Sequence, residues 1–217
     1  MPAQLPVTAA DLVGPHLQLG PLREADAAEL GEILRAPEVY AHGYVMHRLP
    51  DADEATEFAL ARFVHATPPN GHGYGRIPYA IRLGVEHAGL PAGTLVGTSS
   101  LGDYDPDRES AHLGWTLYDP RVWSTFVNPE AKLLLLTHAF ETLGYGRVKI
   151  QTDTLNTRSQ AAIAKLGAVR EGVLRRDVRR EDGTWRDTVV FAITVDDWPT
   201  VKASLESRAG VSVSHGE

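Results

Sequence analysis

The stretch from Ala111 to Phe140, AHLGWTLYDPRVWSTFVNPEAKLLLLTHAF, decides how the rest of the chain is read. Ala111 to Tyr118 has the composition of a strand, a loop with Pro120 and Trp123 follows, and an apolar helix opens near Asn128–Pro129. Asn128 suits the N-cap, Pro129 the first helical position, and Glu130 complements the positive end of the macrodipole. Leu133, Leu134, Leu135, Leu136, Ala139, Phe140 and Leu143 cover more than one face, which predicts a largely buried helix stopped by Gly144 and Gly146. A strand that feeds straight into a helix N-terminus gathers unpaired N–H groups at the positive end of a dipole, the makings of an anion site. A core helix that merely follows a strand explains the same pattern.

Working outward toward the N-terminus, Asp103 to Arg108 turns the chain, and Thr94 to Leu101 and Ile77 to Leu83 read as strands joined by a Gly-rich turn. Three strands in an antiparallel meander therefore precede the helix. Before them lie a Pro- and Gly-dense stretch, Thr67 to Arg76, and a helix over Asp51 to Ala66. The loop Ala36 to Pro50 carries Tyr40, His42 and Tyr44, which could line a substrate pocket or simply pack the loop. A helix over Glu24 to Leu34 and a strand over His16 to Leu22 complete this half.

Toward the C-terminus, Arg147 to Thr152 alternates as a strand, and Asn156 opens a helix whose Ala162, Ile163 and Leu166 face inward until Gly167. Val169 to Arg180 and Thr184 to Thr194 form a hairpin about Asp182–Gly183, and a helix starts around Trp198–Pro199. The arginines 170, 175, 176, 179, 180 and 186 lie on that hairpin, as a solvated face or as a contact for an anionic group. One α/β domain over residues 15–208 is expected, between a loose arm (1–14) and a flexible tail (209–217).

The chain has 217 residues, 43% of them apolar, enough for a real core. No run of about 18 apolar residues occurs and no signal-peptide pattern is present, so a cytoplasmic chain without membrane partners is expected. The absence of cysteine removes disulfides, thiolate zinc sites and a cysteine nucleophile. No metal site is expected. A formal charge of −7 disfavours nucleic acid and favours cationic partners.

The order of these elements, with Gly114–Trp115, Pro120 and Trp123, then Glu130–Ala131, then Asn156, Ser159 and Lys165–Leu166–Gly167, resembles the GNAT acetyltransferase superfamily. Within it, the branch of ribosomal-protein alanine N-acetyltransferases is the more similar. The resemblance implies a mostly antiparallel, twisted mixed sheet of about seven strands, splayed between the fourth and fifth. It also implies acetyl-CoA as cosubstrate, with direct transfer to a primary amine on a peptide N-terminus or a small molecule. A homodimer through the exposed sheet or the last hairpin is compatible with it.

Carried onto this chain, the resemblance places the pyrophosphate on the amides of Ser124, Thr125, Phe126, Val127 and Asn128, and the pantetheine arm beside Asn156. Strand amides of Trp115, Thr116 and Leu117 would meet the oxyanion. His112 is the candidate base, with Glu109 as fallback, and Ser159 the candidate proton source for the thiolate, because Ile163 stands where many relatives have a tyrosine. Read from the residues alone, Asn156 is an N-cap, Ser159 a first-turn serine and His112 a strand histidine. The family usually has glycine where Ser124 and Phe126 stand. Either the loop follows an all-right-handed path, or cofactor affinity is weakened. A protein that keeps the fold as an acyl-CoA-binding regulator or interaction module is the alternative reading.

Overall fold

The computed structural model describes residues 2–41 and 50–211. Alternation of apolar and polar residues builds the sheet, as in β2 (Leu17–Pro21), where Leu17 and Leu19 are buried and Gln18 is exposed. β3 (Arg76–Leu83), β4 (Leu95–Asp105) and β5 (Ser110–Tyr118) form the antiparallel meander, with Ile77 opposite Leu101 and Leu101 opposite Leu113. β6 (Arg147–Asp153) lies parallel to β5, and β7 (Val169–Arg179) and β8 (Trp185–Thr194) make the closing hairpin. The order across the sheet is β1-β2-β3-β4-β5-β6-β8-β7.

The sheet has eight strands among the described residues, against about seven expected. The addition is β1 (Leu12–Val13), which pairs with β2 through Leu12 opposite Leu19. Residues 2–14, expected to be a loose arm, are held in place. Gln4 N donates to Leu143 O at 2.8 Å, Tyr145 OH donates to Gln4 O at 3.1 Å, and Ala3, Ala9 and Leu12 pack on the main core. Apolar residues spaced through that segment give it area to bury, which offsets the entropy of ordering it.

α1 (Ala27–Leu34), α2 (Pro37–Tyr40) and α3 (Ala55–Ala59) follow β2 in the chain. Leu30, Ile33 and Leu34 of α1 form a small cluster with Ala59, Ala80 and Leu95. α4 (Val127–Thr137), its π-helical continuation His138–Thr142, α5 (Thr157–Lys165) and α6 (Trp198–Ala209) supply the larger core, where Phe140 and Trp198 stack at 5.1 Å. In α5 only Ile163 is buried; Ala162, expected inward, is exposed.

Candidate active site

β5 and β6 pair over three residues only: Ser110 with Arg147, Ala111 with Val148 and His112 with Lys149. Beyond His112 the two strands part, while β6 stays paired with β8 along its whole length. The other edge of β5 is bulged. Gly114 faces Ser100 and Leu117 faces Thr98, so Trp115 and Thr116 together oppose the single residue Ser99. Trp115 takes a left-handed φ of 50°, the backbone cost of inserting the extra residue. Parting from β6 and the bulge against β4 take Trp115 and Thr116 out of the regular ladder, whereas Leu117 is again in register with Thr98.

The loop from β5 to α4 stands at the mouth of this gap. Asp119 accepts from the Arg121 amide at 2.9 Å and pairs with its guanidinium, and Trp123 Nε1 donates to Tyr118 O at 3.1 Å, folding the loop back on the strand. The Arg158 guanidinium lies 3.6 Å over the Trp123 ring and ties the loop to the first turn of α5. The amides of Ser124, Thr125 and Phe126 have no hydrogen-bond partner among the described residues, whereas that of Val127 is taken by Thr125 Oγ1 at 3.3 Å.

The expected start of the helix is corrected, and an all-right-handed path, one of the two alternatives for this loop, is ruled out. The helix opens at Val127 with Phe126 at the N-cap, so Asn128 and Pro129 lie inside the first turn. The Thr125 hydroxyl accepts from the Val127 amide at the first helical position. Nor is the path all right-handed: Ser124 has φ 65°, the glycine-like conformation, while Phe126 sits at φ −64° and ψ −19°. Phe126 therefore carries no backbone strain. Its ring packs against His16 at 4.8 Å and His87 at 4.7 Å, and against the core.

Below the bulge, His112 is 3% exposed, with its ring 4.5 Å from that of Trp115. Its Nδ1 lies 3.0 Å from Asp103 Oδ2, and Lys149 Nζ donates to the same oxygen at 3.4 Å. Burial lowers the His112 pKa, with Lys149 and Arg186 adding to it, against the opposing pull of Asp103. For Asp103 burial works upward, but the hydrogen bond and charge of His112 and then Lys149 outweigh it and the pKa ends lowered. An ionised carboxylate only accepts, so Nδ1 carries the proton and Nε2 is left with its lone pair. Nε2 is buried and has no partner among the described residues.

Across the gap, Asn156 caps α5 by accepting from the Ser159 amide at 2.8 Å, and Ser159 is half-buried one turn into the helix. Ile163 is buried in the core. Glu109 fails as a fallback base: it precedes β5 at the far end, six residues from the bulge or roughly 20 Å of strand, and its carbonyl accepts from Gly146 and Arg147. Tyr40 ends α2, with its hydroxyl buried and its pKa pushed up to about 12 by that burial. His42 and Tyr44 lie outside the described residues. Of the hairpin arginines, Arg170, Arg175, Arg176 and Arg179 are exposed, whereas Arg180 bonds Asp153 at the end of β6.

Sequence reasoning missed Asp103, Ser99 and Lys132. Lys132, on α4, is buried and donates to Ser99 Oγ at 3.0 Å and Thr116 Oγ1 at 2.7 Å. Its signal was its place in AKLLLL, a run with no polar face for a lysine to occupy.

A mixed sheet that splits beside a bulged strand, with a strand-to-helix turn at the mouth of the split, is the layout of the acetyltransferase class that the sequence resembles. Over residues 16–169 the chain matches the acetyltransferase (GNAT) domain family, and it belongs to that family. YdaF of Bacillus subtilis, provisionally named a ribosomal N-acetyltransferase, is 28% identical over 123 residues, covering 57% of this chain. The chain spans 66% of that relative's length, just under two thirds. A crystal structure from T. thermophilus, provisionally described as an acetyltransferase, is 36% identical with TM-score 0.73, covering 91% of this chain and 96% of that one. Mycobacterium smegmatis RimJ, solved in complex with CoA-disulfide, is 25% identical with TM-score 0.67, covering 92% and 95%.

Proposed function

We propose that the chain is an acetyl-CoA-dependent N-acetyltransferase that moves an acetyl group directly to a primary amine, on a peptide N-terminus or a small molecule. The observation that carries this reading is the parting of β5 from β6 after His112, beside a bulge that leaves Trp115 and Thr116 exposed. The complex of the related RimJ with CoA-disulfide supports it. The residues present fit the cosubstrate: three unpartnered amides at Ser124, Thr125 and Phe126 meet a helix N-terminus, and the Phe126 ring packs against His16, His87 and the edge of the core.

Acetyl-CoA supplies an acetyl thioester: a C–N bond forms as the C–S bond breaks, the amine gives up a proton and the sulfur takes one. His112 Nε2 is the acceptor for the amine proton, held in the right tautomer by Asp103. The Trp115 ring lies beside the imidazole, with centroids 4.5 Å apart. The amides of Trp115 and Thr116 face the carbonyl oxygen, and the Ser159 hydroxyl serves the sulfur. Asn156 spends its Oδ1 on the cap and has its Nδ2 to offer the pantetheine arm. Phe126 packs on His16 and His87, which accounts for one of the three features behind the reading as a non-catalytic acyl-CoA binder; Ser124 in the loop and Ile163 in place of a tyrosine are the other two.

Calorimetric titration with acetyl-CoA, with free CoA for comparison, tests the reading. Saturable micromolar binding is expected, followed by thiol release when peptides with free N-termini or small amines are added. No binding up to millimolar cosubstrate overturns it.

A further inference from the structure

Lys132 lies between Ala131 and Leu133 on α4, only 6% exposed, with no carboxylate partner among the described residues. The two oxygens it donates to, Ser99 Oγ and Thr116 Oγ1, are themselves 2.8 Å apart, so the three groups close a triangle. Ser99 and Lys132 are buried, and Thr116, on the bulge, is the exposed corner. The charges on the elements around it are committed elsewhere. On its own helix Glu130 bonds His16, and His138, one turn and a half further on, is buried with its pKa lowered by desolvation. On β4 and β5 Asp103 and His112 bond each other, and on β3 Arg76 donates to Ser100. Burial alone acts on the Lys132 ammonium and pushes its pKa down to about 7.

A hydroxyl oxygen has two lone pairs and one proton. Either hydroxyl can donate across the Ser99–Thr116 contact; in the arrangement in which Ser99 donates, Thr116 Oγ1 accepts from both Lys132 and Ser99, both lone pairs are used and its proton points elsewhere. The only acceptor left to it among the described residues is Gly114 O at 3.5 Å, too far for a good bond. We propose, resting on the acetyltransferase reading above, that Lys132 is a positioning residue for acyl transfer: its ammonium holds the Thr116 hydroxyl as a hydrogen-bond donor into the gap between β5 and β6, toward the negative charge that develops on the acetyl group. Once deprotonated, Lys132 Nζ becomes an acceptor, the Thr116 proton turns back onto it, and the donor is lost. Turnover therefore falls on the alkaline side with the midpoint of Lys132 itself.

The test pairs a binding-free readout with kinetics. Lysine side chains in isotopically enriched, ligand-free protein are titrated by NMR, the Lys132 resonance being the one missing from Lys132→Met. Thiol release from acetyl-CoA, with an amine or with water as acceptor, is followed over the same pH range. The expected result is one midpoint shared by the Lys132 resonance and the alkaline limb. Thr116→Val should lose about a hundredfold in turnover with little change in acetyl-CoA affinity, and Thr116→Ser should retain most of the rate. Lys132→Met should be slow and flat across that limb. Midpoints that do not coincide, or a Thr116→Val protein as fast as the parent, overturn the inference, and these two results decide it if Lys132→Met does not fold. A parent protein that neither binds nor cleaves acetyl-CoA overturns the acetyltransferase reading and this inference with it; a working parent with an unaffected Thr116→Val overturns this inference alone.

Discussion

Gly114 is the position from which the candidate base is most easily disturbed. Its backbone would accept an alanine, but the added Cβ would stand 2.8 Å from His112 Nε2 and 3.1 Å from Cε1, where ordinary contact begins at 3.4 Å. The imidazole cannot simply slide away. Its Nδ1 is held by Asp103 at 3.0 Å, the Trp115 ring lies at 4.5 Å, and the side chain is 4% exposed. Overpacking of this kind costs about 1–3 kcal/mol, and rupture of the charge-assisted bond to Asp103 would add about 1.5–3 kcal/mol. Urea unfolding of four proteins isolates the effect: parent, Gly114→Ala, His112→Ala and the double variant. With no ring to strike, the methyl should cost little in the His112→Ala background, giving a coupling of about 1–3 kcal/mol. Turnover of Gly114→Ala should fall about ten- to hundredfold, because the base is displaced. Strictly additive stabilities would refute the clash, and an unchanged rate would refute the role given to His112.

Glu130 is fully buried and accepts from the amides of His16 and Leu17, both at 2.9 Å, and meets His16 Nδ1 at 2.7 Å, so Glu130→Ala should cost about 3–5 kcal/mol in urea unfolding. A loss under about 1 kcal/mol would show that water replaces the carboxylate. Phe126→Gly should weaken acetyl-CoA binding and cost about 2–4 kcal/mol, since the ring packs the loop into shape; tighter binding would mean that it obstructs the site. On the acid side, His112 and Asp103 both have lowered pKa values, so the unfolded chain binds protons first and their contribution is lost as pH falls from about 6.5 through the folded values. The acid slope of stability should be shallower in His112→Ala, and an equal slope would remove the pair from the account. On the alkaline side, Lys132 is lowered from 10.5 to about 7, so the parent should gain stability relative to Lys132→Met across that interval, with a slope of up to about 1.4 kcal/mol per pH unit.

The strand, loop and helix of residues 111–140 were legible because each is specified locally, by apolar pattern, proline and dipole-compatible charge. Where the sequence misled, a nonlocal or competing local interaction had won. Asn128 is a good cap by type, yet the helix already begins at Val127, whose amide donates to the Thr125 hydroxyl, so Asn128 falls inside the first turn. Ser124 adopts the left-handed conformation that glycine would take more cheaply, and no pattern in the loop marks which of its residues bears that cost. The pairing of Asp103 with His112 depends on the bulged register around the turn from β4 to β5, which propensity does not encode. The docking of residues 2–14 depends on contacts with Leu143 and Tyr145, far along the chain.

The two pH effects expected of Lys132 have opposite signs, and that separates a local switch from loss of structure. Raising the pH through the Lys132 midpoint removes a buried charge and with it the desolvation penalty, so the folded state becomes more stable. The same deprotonation turns Nζ from a donor into an acceptor toward Thr116 and withdraws the hydroxyl from the gap. A rate that fell because the protein unfolded would track falling stability. A rate that falls while stability rises points to the Lys132–Thr116–Ser99 triangle, three side chains that bind the face of α4 to the bulge of β5. The sheet must split next to a strand held that firmly, because a mobile bulge could not keep its amides aimed at a developing charge.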